Sequence, residues 1–199
     1  MDWRILYNPM AVLRRGNALL VALVVIIILT AVAWWGGEIL DGALDLHLVP
    51  EAPSARQVIF QSLVAWISLA VLLFAASRMF GGNGGLAGHF AASGLARFPV
   101  IFATIVGSRQ LVGGQMLKAT TIRPEEIVVR ISEFVTPLII IGSIVMVGLL
   151  AWWIVMLVYG FKEVSRLRGG KTAAAFVIGI ILAEIVSKLI LWGGSKIGI

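Results

Sequence analysis

The chain has 199 residues, of which 60% are hydrophobic and 13% are charged, and its formal net charge is +6. Soluble domains carry about 25% charged residues, so a compact soluble fold of this length would expose far more apolar surface than is usual. The absence of cysteine excludes disulfides, a thiol nucleophile and thiolate metal sites, and two histidines are too few for a multi-histidine metal site.

Residues 1–16 are the first predicted element, an N-terminal segment at the membrane interface. Apolar and aromatic residues mix there with three arginines, so that rings lie at headgroup depth and basic groups face phosphate. Asn8-Pro9 is typical of a turn or of the start of a short helix. Residues 17–199 are predicted to form one transmembrane domain.

A helix that crosses the bilayer core needs about 20 apolar residues. Five segments provide this length: residues 17–35, 57–77, 86–117, 134–161 and 172–192. The sequence therefore predicts an all-α polytopic bundle of about five spanning helices. A cleaved signal peptide is the alternative for the first segment, but the apolar run is longer than usual and bulky Trp34-Trp35 would begin the mature chain.

The third segment is the least regular, because Arg97 and Pro99 lie inside it. Proline removes a helical hydrogen bond and disfavours helix at the preceding residue. We therefore expect a short helix to about Phe98, a break at Pro99 and then the main span, with a re-entrant hairpin as the alternative.

Glycines crowd the connection between the second and third segments, which predicts a tight reversal because glycine lets backbones approach closely. The predicted turn or hinge residues are Gly81, Gly82, Gly84 and Gly85. The letters from residue 82 also fit a dinucleotide fingerprint, and residues 168–172 end like a phosphate-binding loop. Neither motif lies in the strand and helix context that it needs, so we expect no cofactor.

Three charged residues lie within the predicted spans. Glu184 precedes Lys188 by four residues, the favourable order for an ion pair on one helix face. Because a lone charge is costly in lipid, we expect the two to pair and face the bundle, as a structural pair or as a proton or ion relay. The remaining alternative is that the Lys188 ammonium extends to the outer interface. Arg97 is the third, and its expected partners are Glu133, Glu184 or a lipid phosphate.

The last segment carries small residues at every fourth position, which lets two helices approach closely. This predicted packing face consists of Ala175, Gly179, Ala183 and Ser187. It could meet another span or a second copy of the chain, so the expected protein partners are a homo-oligomer or another membrane protein.

Lysine and arginine set the predicted orientation. A cytoplasmic N-terminus puts Arg4, Arg78 and the basic loop at residues 162–171 inside, and the acidic loop at residues 36–56 outside. We therefore predict that the N-terminus is cytoplasmic, that the C-terminus is outside, and that anionic lipid meets the cytoplasmic face. This accounts for the basic charge without a nucleic-acid partner.

The chain resembles the short bacterial branch of the Yip domain family over nearly its whole length. The matching features are the Asn8-Pro9 segment, residues 76–82 (ASRMFGG), Phe98-Pro99 and Lys171-Thr172-Ala173. The resemblance implies five spans, a cytoplasmic N-terminus, association within the membrane and, for this branch, a bacterial inner membrane. Eukaryotic members act in vesicle trafficking, but their long N-terminal region and Asp-Leu-Tyr-Gly-Pro motif are absent here, so Rab binding is not expected.

Two functional hypotheses follow. The sequence has no plausible catalytic constellation, which favours a non-enzymatic protein that organises the membrane or acts as an adaptor. The alternative is a small transporter or channel, because broken helices and intramembrane charges such as Arg97, Glu184 and Lys188 mark transport paths.

Overall fold

The computed structural model describes residues 3–13, 15–49, 51–111 and 137–196. A 3₁₀ turn at Trp3–Leu6 begins the described part of the chain. The helices that follow are α1 (Pro9–Val12), α2 (Arg15–Gly36), α3 (Ala55–Met79), α4 (Leu86–Ala96), α5 (Phe98–Gly107), α6 (Pro137–Ser165) and α7 (Gly170–Lys196). Two short strands, β1 (Glu38–Leu40) and β2 (Leu46–Leu48), lie between α2 and α3.

The described residues contain five helical stretches that are long and apolar enough to cross a membrane. They are Gly16–Gly36, Ala55–Met79, Leu86–Gly107, Ile139–Ser165 and Gly170–Gly194. This confirms the prediction of an all-α bundle of five spans. Long aliphatic side chains on these helices remain exposed, as expected where lipid covers them.

The third span is broken at Arg97, and this corrects the predicted position of the break. Arg97 separates α4 from α5, and Pro99 lies in the first turn of α5, where its missing N–H group disturbs no helical hydrogen bond. The main span does not begin after the proline, because α4 and α5 together supply its 22 residues. Gly88 lies against Val164 and Gly107 near Met146, so the span crosses antiparallel to α6 and is not a re-entrant hairpin.

The glycine-rich connection between α3 and α4 is a tight reversal. Gly81 has φ +86°, and the Gly82 amide donates to the Ser77 carbonyl over 2.8 Å. A Cβ atom on Gly82 would collide with Ser77, and one on Gly84 would collide with the Val164 carbonyl. Glycine is therefore required here by the close approach of the α6 terminus. Gly85 precedes α4 at its N-cap position.

The loop between α2 and α3 contains a β-hairpin that the sequence did not predict. Its strands pair antiparallel, with Glu38 opposite Leu48 and Leu40 opposite Leu46. Arg109, just after α5, fixes the base of this hairpin, since its amide donates to the Gly36 carbonyl over 3.0 Å and its guanidinium donates to the Val49 carbonyl. The acidic loop is therefore folded and anchored.

The core lies where α3 and α6 meet the other spans. Its largest fully buried apolar side chains are Leu29, Leu69, Leu73, Leu157 and Phe161. Helix α3 packs along α7, α2 packs along α4, and both halves of the third span pack on α6. This arrangement surrounds the hairpin tip, residues 41–45, with the helix faces that carry the intramembrane charges.

Candidate functional site: a polar centre around the hairpin tip

The hairpin tip enters the bundle and binds side chains of α7 and the α4–α5 junction. We call this cluster the polar centre, and it comprises the tip together with Arg97, Glu184, Ser187 and Lys188. Gly42 has φ +154°, and a Cβ atom there would lie 2.5 Å from Oε1 of Glu184. The tip therefore needs glycine at this position to pack against α7.

Arg97 is 1% exposed and binds backbone instead of a carboxylate. Its Nη2 donates to the Ala43 carbonyl over 2.9 Å, and its Nε has no hydrogen-bond partner. Among the described residues, no carboxylate forms an ion pair with Arg97, so Glu184 is not the partner that the sequence suggested. Glu133, the other protein partner that was expected, lies outside the described residues.

Glu184 and Lys188 form the expected contact, with 3.2 Å between Oε1 and Nζ, but the Lys188 side chain is 47% exposed and does not point into the bundle as predicted. The other oxygen of Glu184 accepts the Leu44 amide over 2.9 Å, and Lys188 Nζ lies 3.1 Å from the Asp45 carboxylate. The ammonium thus bridges α7 to the hairpin. The two predicted roles of this pair, as a structural contact and as a proton or ion relay, stay predictions.

Ser187 completes the attachment of the tip. Its hydroxyl accepts the Ala43 amide over 2.9 Å and donates to the Glu184 carbonyl over 3.1 Å. Ala43 is therefore held from both sides, by Ser187 at its amide and by Arg97 at its carbonyl. A backbone that enters a membrane bundle needs such partners, because water does not satisfy it there.

The row of small residues on α7 faces another span of the same chain. Ala175, Ala183 and Ser187 are fully buried. A Cβ atom on Gly179 would lie 2.9 Å from Cδ2 of Leu73 on α3, so the two helices approach as closely as small residues allow. The described structure thus places this face in contact with α3.

Glu38 is a buried carboxyl group that the sequence did not single out. Only 3% of it is exposed, and its Oε2 has no hydrogen-bond partner. Burial raises its pKa from 4.5 to about 8, although a hydrogen bond with Thr104 partly offsets this effect. Nothing in the sequence indicates this burial, because Glu38 stands in an acidic connection that reads as solvated.

Asp41, Asp45 and His47 are the described residues best placed to hold a metal ion, with ligand atoms within 4.8 Å of one another. However, Asp45 already pairs with Lys188. Exposed acidic groups commonly stand together without an ion, so these three residues do not establish a metal centre.

The family model described as the Yip1 domain matches residues 4–191 of the chain. The match includes most of the N-terminal segment, all of the polar centre and most of the last span. No curated protein and no solved structure matches the chain.

Proposed function

We propose that this chain, which belongs to the Yip1 domain family, is a non-enzymatic multi-pass membrane protein that works by assembly. It organises the membrane or serves as an adaptor, and it associates there with further copies of itself. Its membrane is the inner membrane of a bacterium.

The observation that carries this proposal is the use made of the intramembrane charges. Glu184 and Arg97 each bind backbone of the hairpin tip, and Lys188 binds the side chain of Asp45 in the tip. Groups that relay protons or ions must exchange partners, whereas these hold a loop in place. This favours a structural role for the polar centre over a transport path.

The orientation belongs to the same proposal, with the N-terminus in the cytoplasm and the C-terminus outside. Arg4 lies beside the corner between α6 and α7, and the Asn83 amide of the glycine turn donates to Ser165 in that corner. Arg4, Arg78 next to the glycine turn, and the basic corner between α6 and α7 therefore share one side of the bundle, and the acidic hairpin lies at the other. The positive-inside rule assigns the basic side to the cytoplasm, where it meets anionic lipid.

Labelling of single cysteines tests the orientation, because the native chain has none. We expect a membrane-impermeant thiol reagent to label Glu51→Cys in intact spheroplasts and to label Lys171→Cys only after lysis. The reverse pattern would overturn the assigned orientation.

Reconstitution separates assembly from transport. Donor- and acceptor-labelled Lys171→Cys proteins should show energy transfer in liposomes that persists when excess lipid dilutes the protein. The same liposomes should show no more proton or ion flux than empty ones. Energy transfer that vanishes on dilution, together with flux that Glu184→Gln abolishes, would instead establish the transporter.

A further inference from the structure

The basic side of the bundle contains a cavity of about 590 Å³ between the N-terminal segment and the corner that joins α6 to α7. Four basic side chains line it, and they are Arg4, Lys162, Arg166 and Arg168. The carboxylate in the lining is Glu163, so the cavity is strongly positive. Tyr7 and Tyr159, whose rings meet edge to face at 5.3 Å, form part of its wall.

Asn8 in the same lining has a polar atom that the protein leaves unused. It occupies the N-cap position of α1, yet its side chain makes no capping hydrogen bond. Only 9% of Asn8 is exposed, and its Oδ1 has no hydrogen-bond partner. The Oδ1 atom is itself buried, and the contact of Nδ2 with the Glu163 carboxylate, at 3.5 Å, is at the long limit of a hydrogen bond, so a ligand reaches Oδ1 only if the side chain rotates. A ligand with a hydroxyl donor would satisfy this oxygen.

A second cavity of about 440 Å³ continues from the first, because Glu163 and Arg166 line both. It reaches the glycine turn at the N-terminus of α4, where backbone N–H groups favour anions. Met10 and Leu19 give it an apolar wall. The two cavities together therefore offer cationic, hydroxyl-accepting and apolar surfaces in one place.

We propose that this cavity is a binding site for the headgroup of an anionic glycerophospholipid that carries hydroxyl groups, such as phosphatidylglycerol. The basic side chains bind the phosphodiester, Asn8 and Glu163 accept hydroxyl protons, and the apolar wall receives the start of an acyl chain. A zwitterionic headgroup adds no net charge and so compensates the cavity less well. The inference rests on the proposed orientation, in which this face of the bundle is cytoplasmic. It adds a defined binding site to the general attraction between the basic face and anionic lipid.

Native mass spectrometry of the delipidated protein in detergent tests the site by titration with single lipids. We expect phosphatidylglycerol to bind more tightly than phosphatidylethanolamine. Each basic group near a membrane surface contributes about a 5-fold change in affinity, so Arg168→Gln should weaken binding about 5-fold and Lys162→Gln with Arg168→Gln about 25-fold. Lys171→Gln, which removes a charge from the same side but outside the cavity lining, should change it less than about 2-fold.

Asn8→Ala tests the hydroxyl contact with a matched probe. Phosphatidylmethanol has the same charge as phosphatidylglycerol but no headgroup hydroxyl. The native chain should prefer phosphatidylglycerol, and Asn8→Ala should show a smaller preference, because Glu163 is then the one remaining hydroxyl acceptor of the two. The same preference in both proteins would overturn the role of Asn8.

Equal losses of phosphatidylglycerol affinity in Arg168→Gln and Lys171→Gln would show that the attraction is diffuse and would overturn the proposed site. Competition by free glycerol 3-phosphate would show a soluble phosphate ligand and would likewise overturn it. The titration depends neither on orientation nor on assembly, so its failure is distinguishable from failure of the cysteine labelling or of the energy transfer. Melting temperatures of the variants, whose changed basic groups are exposed, confirm that they remain folded.

Discussion

Glu38 gives the sharpest prediction about the stability of this protein. Glu38 is 3% exposed at the start of β1, and burial raises the pKa of its carboxyl group to about 8. The folded protein therefore keeps it protonated over a pH range in which the unfolded chain ionises it. Folding should become less favourable as the pH rises through this range, and Glu38→Gln should remove the effect.

The magnitude follows from the two pKa values. Glu38 titrates near 4.5 when solvated and near 8 in the folded protein. Each unit of difference corresponds to about 1.4 kcal/mol, so the full window corresponds to about 5 kcal/mol. The contribution is fully present below pH 4.5, declines as the pH rises, and is lost above pH 8. Local opening of the hairpin that lets water reach the carboxylate would reduce the measured change.

Unfolding followed by tryptophan fluorescence in detergent, between pH 5 and pH 8.5, measures this contribution. The native chain should lose stability across the range, and Glu38→Gln should lose markedly less. Glu51→Gln, which removes an exposed carboxylate from the same connection, is the matched control and should follow the native curve. Parallel curves for the native chain and Glu38→Gln would refute the assigned burial of an uncompensated carboxyl.

Three further predictions concern the attachment of the hairpin and the packing of α7. Gly179→Val should lower the free energy of unfolding by about 1–3 kcal/mol, because a Cβ atom at this position meets α3. Gly148→Val is the control and should not have this effect, because the space around Gly148 is open. Equal effects of the two variants in thermal unfolding would contradict the close packing. Gly42→Ala should cost about 1–3 kcal/mol in the same assay, because of its φ of +154° and the nearby Glu184 carboxylate; an unchanged midpoint would show that the tip does not pack there. Arg97→Met should speed hydrogen exchange in the hairpin tip by about five- to a hundredfold, the equivalent of leaving one backbone carbonyl unpaired; unchanged exchange would show that Arg97 does not hold the tip.

The spans could be predicted because hydropathy and length are properties of one continuous stretch of sequence. Uncharged runs of about 20 residues have few alternatives to a membrane helix. The contact between Glu184 and Lys188 could be predicted as well, because side chains four residues apart on a helix are neighbours. The break in the third span was predicted two residues late, because proline is tolerated in the first turn of α5 and the interruption falls at Arg97.

The polar centre could not be predicted in the same way. Arg97 binds a backbone carbonyl 54 residues away, and any residue type could supply that carbonyl. The burial of Glu38 depends on a hairpin of three-residue strands, which are too short for an alternating pattern to reveal. Both features arise from a loop that turns back into the bundle, and neither hydropathy nor charge in the loop itself indicates that turn.

The attachment of the hairpin tip to α7 has a consequence for biogenesis. The Leu44 and Ala43 amides find their acceptors 140 and 144 residues later in the chain, on the last span. In the orientation proposed above, the loop is translocated early during synthesis and waits in water until α7 is inserted. Only then does the tip leave the aqueous compartment, so its protection from protease would report completion of membrane insertion.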